Sequence, residues 1–172
     1  LWLHVDGALG GSVAFSATHR HRLEGSGRAD SFTWNAHKML GVPLAASVVL
    51  TREPGQLHAS MDESASYLFQ DEESPYEHGT MSPQCGRRND ALKVWASWKS
   101  HGDRGFAERV DRLFGLAQYA AARIEREPAL RLTRTPESVT VCFEVDGRSS
   151  ADVCEQLRRQ ARAVVGYGVV DD

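Results

Sequence analysis

Cysteine is scarce in this 172-residue chain, and the three present form no pattern. Cys85, Cys142 and Cys154 are odd in number, far apart and never in a CxxC pair. Such usage suits reduced thiols in a cytosolic protein and argues against a disulfide framework or a zinc site. Charge of one sign is also lacking: 20 Lys and Arg stand against 23 Asp and Glu, for a net charge of −3. A polyanion-binding surface and a basic membrane anchor are both disfavoured. No apolar run is long enough to span a bilayer. No internal repeat or low-complexity tract stands out. The glycines of "GALGG" (7–11) make neither a GxGxxG fingerprint nor a GK[ST] phosphate loop; they are read as room for close backbone approach. An initiator Met is missing, and no signal-peptide pattern precedes "LWLHVDGALGG". Both ends read as interrupted elements with bare edges, so the expectation is a segment of a longer protein.

What is present is the balance of an ordinary globular protein, 41% hydrophobic and 25% charged. The pattern alternates between strand-like and helix-like stretches. Residues 1–6, 30–35, 45–52 and 139–145 read as strands, the third rich in β-branched residues. Residues 16–24 read as a short helix with Ser16 as N-cap and Gly25 as its stop. A helical turn is expected within 53–60. Helices are expected over 86–101, 105–127 and 150–162. Leu92, Trp95 and Trp98, with Ala91, fall at helical spacing in the first of these, and Phe106, Val110, Leu113, Phe114, Ala117, Ala121 and Ile124 in the second. Residues 62–84 are polar and irregular and read as a long loop, a length that is usually functional or disordered. "SHGDRG" (100–105) is the expected boundary between two units, 1–100 and 101–172. The "HRH" at 19–21 spaces its histidines at i and i+2, which do not share a helix face, so a solvated surface is expected there and not a metal.

Chemistry gathers at the strand ends. Asp6 closes the first strand; Asn35, His37 and Lys38 follow the second. In open α/β sheets ligands collect beyond the carboxyl ends of the strands. A lysine there, if partly desolvated, can condense with a carbonyl. A carboxylate there can hold a proton on a ring nitrogen, and that pairing is what pyridoxal phosphate chemistry requires. Read residue by residue, the alternative stays open that Asp6 caps a turn and Lys38 is a surface lysine.

Several stretches taken together, "HVDGALGG", "RADSFTWNAHKMLGVPL", "ASYLFQ", "QCGRRNDALKVWASWKSHGDRGF" and "VTVCFEV", resemble the group II pyridoxal-phosphate-dependent amino acid decarboxylases, nearest the branch of glutamate decarboxylase and cysteine sulfinate decarboxylase. The resemblance implies an α/β fold of the type I, aspartate aminotransferase-like class, present in part. Residues 1–100 would be the second half of the large cofactor domain, with the catalytic loop at about 62–84, and 101–172 part of the small C-terminal domain. It implies a cytoplasmic homodimer with the active site at the subunit interface, no nucleic acid or membrane partner and no metal. By the same resemblance Lys38 matches the lysine that carries pyridoxal 5'-phosphate covalently as an internal aldimine. Asp6 matches the acid paired with the pyridine nitrogen, and Ala8 the small residue near the ring. Asn35 and His37 match positions near the phosphate and the aldimine. Cys85 and Gly86 match a segment reaching the neighbouring subunit's phosphate. Tyr67 matches the catalytic-loop tyrosine that protonates Cα. Gly7 stands where alanine is usual, Leu9 where tryptophan is usual and Ala36 where proline is usual. The implied activity is decarboxylation of an L-amino acid, leaning toward an acidic substrate such as cysteine sulfinate, aspartate or glutamate. Two other readings remain: an aminotransferase, or a non-catalytic dimer scaffold.

Overall fold

The computed structural model describes residues 1–61, 81, 82, 84 and 86–168. Tyr67 and Cys85, and most of the expected loop at 62–84, lie outside the described residues. The chain divides into two units, Leu1–Asp111 and Arg112–Asp172.

The first unit is built on a three-stranded sheet in the order β1 (His4–Gly7), β2 (Ser31–Asn35), β3 (Ser47–Thr51). β1 runs parallel to β2, with Asp6 beside Thr33 and Gly7 beside Trp34. β3 returns antiparallel, with Asn35 beside Ser47. The carboxyl ends of β1 and β2 therefore share one rim, and the turn that carries Lys38 leaves from it. The β-branched and aromatic content of β2 and β3 suits a pleated, half-buried surface.

Between β1 and β2 the chain runs through 3-10 turns at Gly10–Phe15, Arg20–Leu23 and Ser26–Arg28. An α-helix expected over 16–24 is not formed. Its capping signal is real, since Ser16 Oγ accepts the His19 N–H at 3.1 Å, and Gly25 takes a left-handed φ of 83°. Only Ala17 and Leu23 are apolar after that cap, so no apolar stripe exists to propagate a helix.

After α1 (Gln56–Met61), α2 spans Asp90–Ile124, with a break at Gly102 (φ 65°, ψ 177°), a conformation open to glycine and costly for other residues. Phe106 and Val110 are fully buried. Phe106 meets Phe15 edge-on at 5.3 Å between ring centres, and Phe15 also meets Trp98 at 5.2 Å. Trp34 donates its indole N–H to the buried Ser12 hydroxyl at 2.9 Å. Ser16 donates its hydroxyl to Asp111, a second fastening of the same helix. Leu92, Trp95 and Trp98 are exposed, Trp95 by 60%.

The glycines behind Asp6 admit rings more than backbone. A Cβ on Gly7 would lie 2.2 Å from Phe32 Cζ and 2.8 Å from the Thr33 carbonyl oxygen; on Gly11 it would meet Phe32 and Trp34 at 3.0 Å, and on Gly10 nothing.

In the second unit Phe114, Ala117, Ala121 and Ile124 are buried at helical spacing. β4 (Leu130–Leu132) pairs antiparallel with β5 (Phe143–Val145), and α3 covers Ser150–Arg159. β4 carries no legible signal, since three residues, LRL, show no period. On α3 the Glu155 carboxyl is held below its ordinary range by hydrogen bonds from Arg158 and Arg159. Among the described residues no helix is long and apolar enough to cross a membrane.

Candidate active site

The rim is organised by backbone. Asp6 ends β1, and one of its carboxylate oxygens accepts the Ala8 N–H at 2.9 Å. The turn-capping alternative for Asp6 is thus realised, at the cost of one oxygen only. Ala8 is buried, 8% exposed.

From β2 the chain turns at once. The Lys38 N–H donates to the Asn35 carbonyl at 3.1 Å, and Gly41 N–H to the Lys38 carbonyl at 3.1 Å. Val42 N–H closes the turn onto the Ala36 carbonyl at 3.3 Å. Ala36, Met39, Leu40 and Val42 are all buried. Within residues 36–42 only Lys38 and Gly41 are exposed. Four buried apolar side chains anchor the turn, and the lysine side chain projects from it. Asp6 and Lys38 leave the sheet from adjacent parallel strands, and no hydrogen bond or ion pair joins them among the described residues.

Two polar groups flank Lys38. His37 Nδ1 lies 3.0 Å from both the carbonyl and the N–H of Ala46. One nitrogen serves only one of these at a time, and Ala46 offers a partner to either tautomer, so the contact orients the ring. Asn35 Oδ1 is buried without a hydrogen-bond partner. A buried polar atom left unpaired costs free energy and is uncommon in native structures. Gly86 is exposed, and a Cβ there would meet nothing within 4 Å. Among the described residues no group of His, Cys, Asp and Glu could hold a metal ion.

Two clefts among the described residues are not lined by the rim residues. One, about 360 Å³, is lined by Val48, Ala91, Val94, Trp95, Trp98 and Lys99. The other, about 290 Å³, lies along Arg123–Leu130 of the second unit. The rim itself is open, with Asp6 and Lys38 both exposed. Sequence reasoning missed Arg109, whose guanidinium donates to the Leu40 carbonyl from 69 positions away; nothing local in "FAERV" signals that contact.

Comparison with known proteins places this geometry. The family described as pyridoxal-dependent decarboxylase conserved domain matches residues 1–146. The chain is 45% identical over 150 residues to cysteine sulfinic acid decarboxylase of Homo sapiens, covering 83% of this chain and 30% of that one. The Rattus norvegicus protein of the same name gives the same identity and coverage. The chain thus spans under a third of the length of these relatives. The crystal structure of mouse CSAD superposes with a TM-score of 0.83 at 35% identity, over 98% of this chain and 38% of that one. Oryza sativa TDC with PLP and tryptamine superposes at 0.85 over 98% of this chain and 38% of that one, and at 24% identity it speaks to the fold alone. The fold is a partial type I pyridoxal-enzyme fold, as expected from sequence.

The residues present fit a phosphorylated pyridine aldehyde. A primary amine projects from a rigid turn, and a carboxylate with one oxygen left over stands at the end of the adjacent strand. The unpartnered amide of Asn35, rotated end for end, offers an N–H where its oxygen now sits.

Proposed function

The chain belongs to the pyridoxal-dependent decarboxylase family, and from that membership we propose that the protein removes the carboxyl group of an L-amino acid as carbon dioxide, with pyridoxal 5'-phosphate carried covalently on Lys38. The observation that carries this reading is the shared rim: parallel β1 and β2 deliver Asp6 and the Lys38 turn to the same end of the sheet.

When bound, the cofactor supplies an electron sink for the pair left behind as carbon dioxide departs. Asp6 keeps a proton on the ring nitrogen; its Ala8 contact fixes the carboxylate's direction without neutralising it. Ala8 leaves space for the ring. Asn35 offers its amide toward the phosphate side, and His37, oriented by Ala46, presents its Nε2 edge. Lys38 would hold the cofactor through its side-chain amine. Tyr67 is the acid proposed to protonate the α-carbon. Cys85 and Gly86 are proposed to reach the cofactor phosphate of a partner subunit, which makes a cytoplasmic homodimer part of the reading.

The proposed substrate is acidic, with cysteine sulfinate first because of the 45% identity to decarboxylases named for it, then aspartate and glutamate. The test is made on the natural full-length protein. Borohydride reduction and peptide mapping are expected to place the label on Lys38, and Lys38→Ala to lose both label and turnover. Incubation with each acid is expected to give amine and carbon dioxide in equal amounts for one of them. Formation of a keto acid without carbon dioxide would establish an aminotransferase instead.

A further inference from the structure

Lys38 is exposed, so packing of its own side chain does not place its amine. Its position is inherited from the backbone of the turn. On the strand side the turn is tied to Asn35 and Ala36 by the Lys38 and Val42 N–H groups. His37 is held at its ring by Ala46, and on the far side Arg109 donates to the carbonyl of Leu40, a residue only 1% exposed. Gly41 is shaped to this contact. Its φ is +63°, and a Cβ there would stand 2.9 Å from the same Arg109 nitrogen.

We propose that Arg109 is a positioning residue for Lys38: from α2 it pins the Leu40 carbonyl, and thereby holds the amine-bearing turn where the cofactor aldehyde must meet it. This rests on Lys38 as the cofactor lysine. A reacting group held in place gains effective concentration, and a slackened support loses it. The buried Leu40 carbonyl has strong demand for a donor, and a cationic donor satisfies it better than a neutral one. Helix α2 does not depend on this bond for its seat. Phe106 and Val110 are fully buried, and Asp111 accepts the Ser16 hydroxyl.

The experiment uses the natural full-length holoprotein and three variants, Arg109→Met, Arg109→Lys and Ser16→Ala. Arg109→Met keeps an unbranched stem and removes every donor; Arg109→Lys returns one cationic donor. Ser16→Ala breaks the other fastening of the same helix and serves as the structural control. Cofactor affinity is read from the visible absorbance on dilution, and attachment from borohydride-trapped label at Lys38. Arg109→Met is expected to weaken cofactor binding roughly tenfold, the effect of about one hydrogen bond to a charged group. It should slow trapping at Lys38 while the circular dichroism stays that of the parent. Arg109→Lys should recover part of the loss, and Ser16→Ala should leave affinity unchanged. If the parent labels at Lys38 yet Arg109→Met binds and traps like the parent, the proposal is overturned. It is equally overturned if Ser16→Ala weakens the cofactor as much, for the effect is then general stability. Label absent from Lys38 in the parent would instead refute the assignment of the lysine. Should Arg109→Met fail to fold, Arg109→Lys and Arg109→Gln decide the matter: intermediate affinities support the role, parent affinity in both overturns it.

Discussion

Gly7→Ala tests how the sheet is packed behind Asp6. The family resemblance makes alanine the expected residue at this position, so the substitution looks innocuous. Gly7 has no left-handed φ here, and alanine in a compatible backbone normally gains about 0.4–1 kcal/mol by restricting the unfolded chain. The structure predicts the opposite sign. The new methyl would lie 2.2 and 2.4 Å from the Phe32 ring and 2.8 Å from the Thr33 carbonyl. Overpacking of this kind costs about 1–3 kcal/mol. The net expectation is a loss of about 1–2 kcal/mol, with the thermal midpoint falling about 2–4 °C per kcal/mol in a domain of 150–250 residues. Phe32→Leu in the same chain removes the ring atoms that clash and should restore part of the loss, while the Thr33 carbonyl still crowds the methyl. The coupling between the two substitutions should be about 0.5–3 kcal/mol, as for residues in contact. Chemical denaturation of the parent, both single variants and the double variant measures it. A Gly7→Ala protein at least as stable as the parent, or a double variant whose loss is the plain sum, would show that Phe32 yields freely and that Gly7 is not there to admit it.

The remaining expectations concern chemistry and charge. Asp6→Asn should leave attachment to Lys38 possible and lower turnover roughly 10²-fold or more, about 3 kcal/mol in the barrier, because an amide cannot compensate a pyridinium charge; steady-state rates check it. Tyr67→Phe should shift product from amine toward aldehyde and the pyridoxamine form, which chromatography separates; full amine yield with no aldehyde would assign the proton to another group. Glu155, its carboxyl held low in the fold by Arg158 and Arg159, adds stability above its unfolded pKa that is lost as pH falls through the lower folded value. As one side of a solvent-screened surface ion pair, it should contribute too little for Glu155→Gln to displace the acid limb of a stability–pH profile.

The sequence displayed the rim because its signals are local. Short β-branched and aromatic strands end in residues with chemistry, and the Lys38 turn is written within ten consecutive positions. Ser16 shows the limit of such signals: its cap is genuine, but a cap without an apolar stripe yields tight turns and no helix. The spacing of Leu92, Trp95 and Trp98 marked a helix correctly and said nothing about what covers that face. β4 escaped notice because its identity comes from pairing with Phe143–Val145 and not from its own three residues. Arg109 was illegible for the same reason at longer range. A guanidinium's partner is chosen by the fold, and arginine reads alike on any helix surface.

The separation of Leu40 from its donor has a consequence in time. A ribosome adds roughly 5–20 residues per second, so Arg109, 69 positions later, is made about 3–14 s after the carbonyl it will hold. Asp111 follows two residues on and completes the fastening to Ser16. A nascent chain therefore displays the lysine first and acquires its support late. Cofactor captured from the cell before that moment would meet an amine on an untethered turn. Firm loading is then expected only once residue 109 has been made and has reached the turn, and ribosome-bound chains stalled before residue 109 should retain little of it.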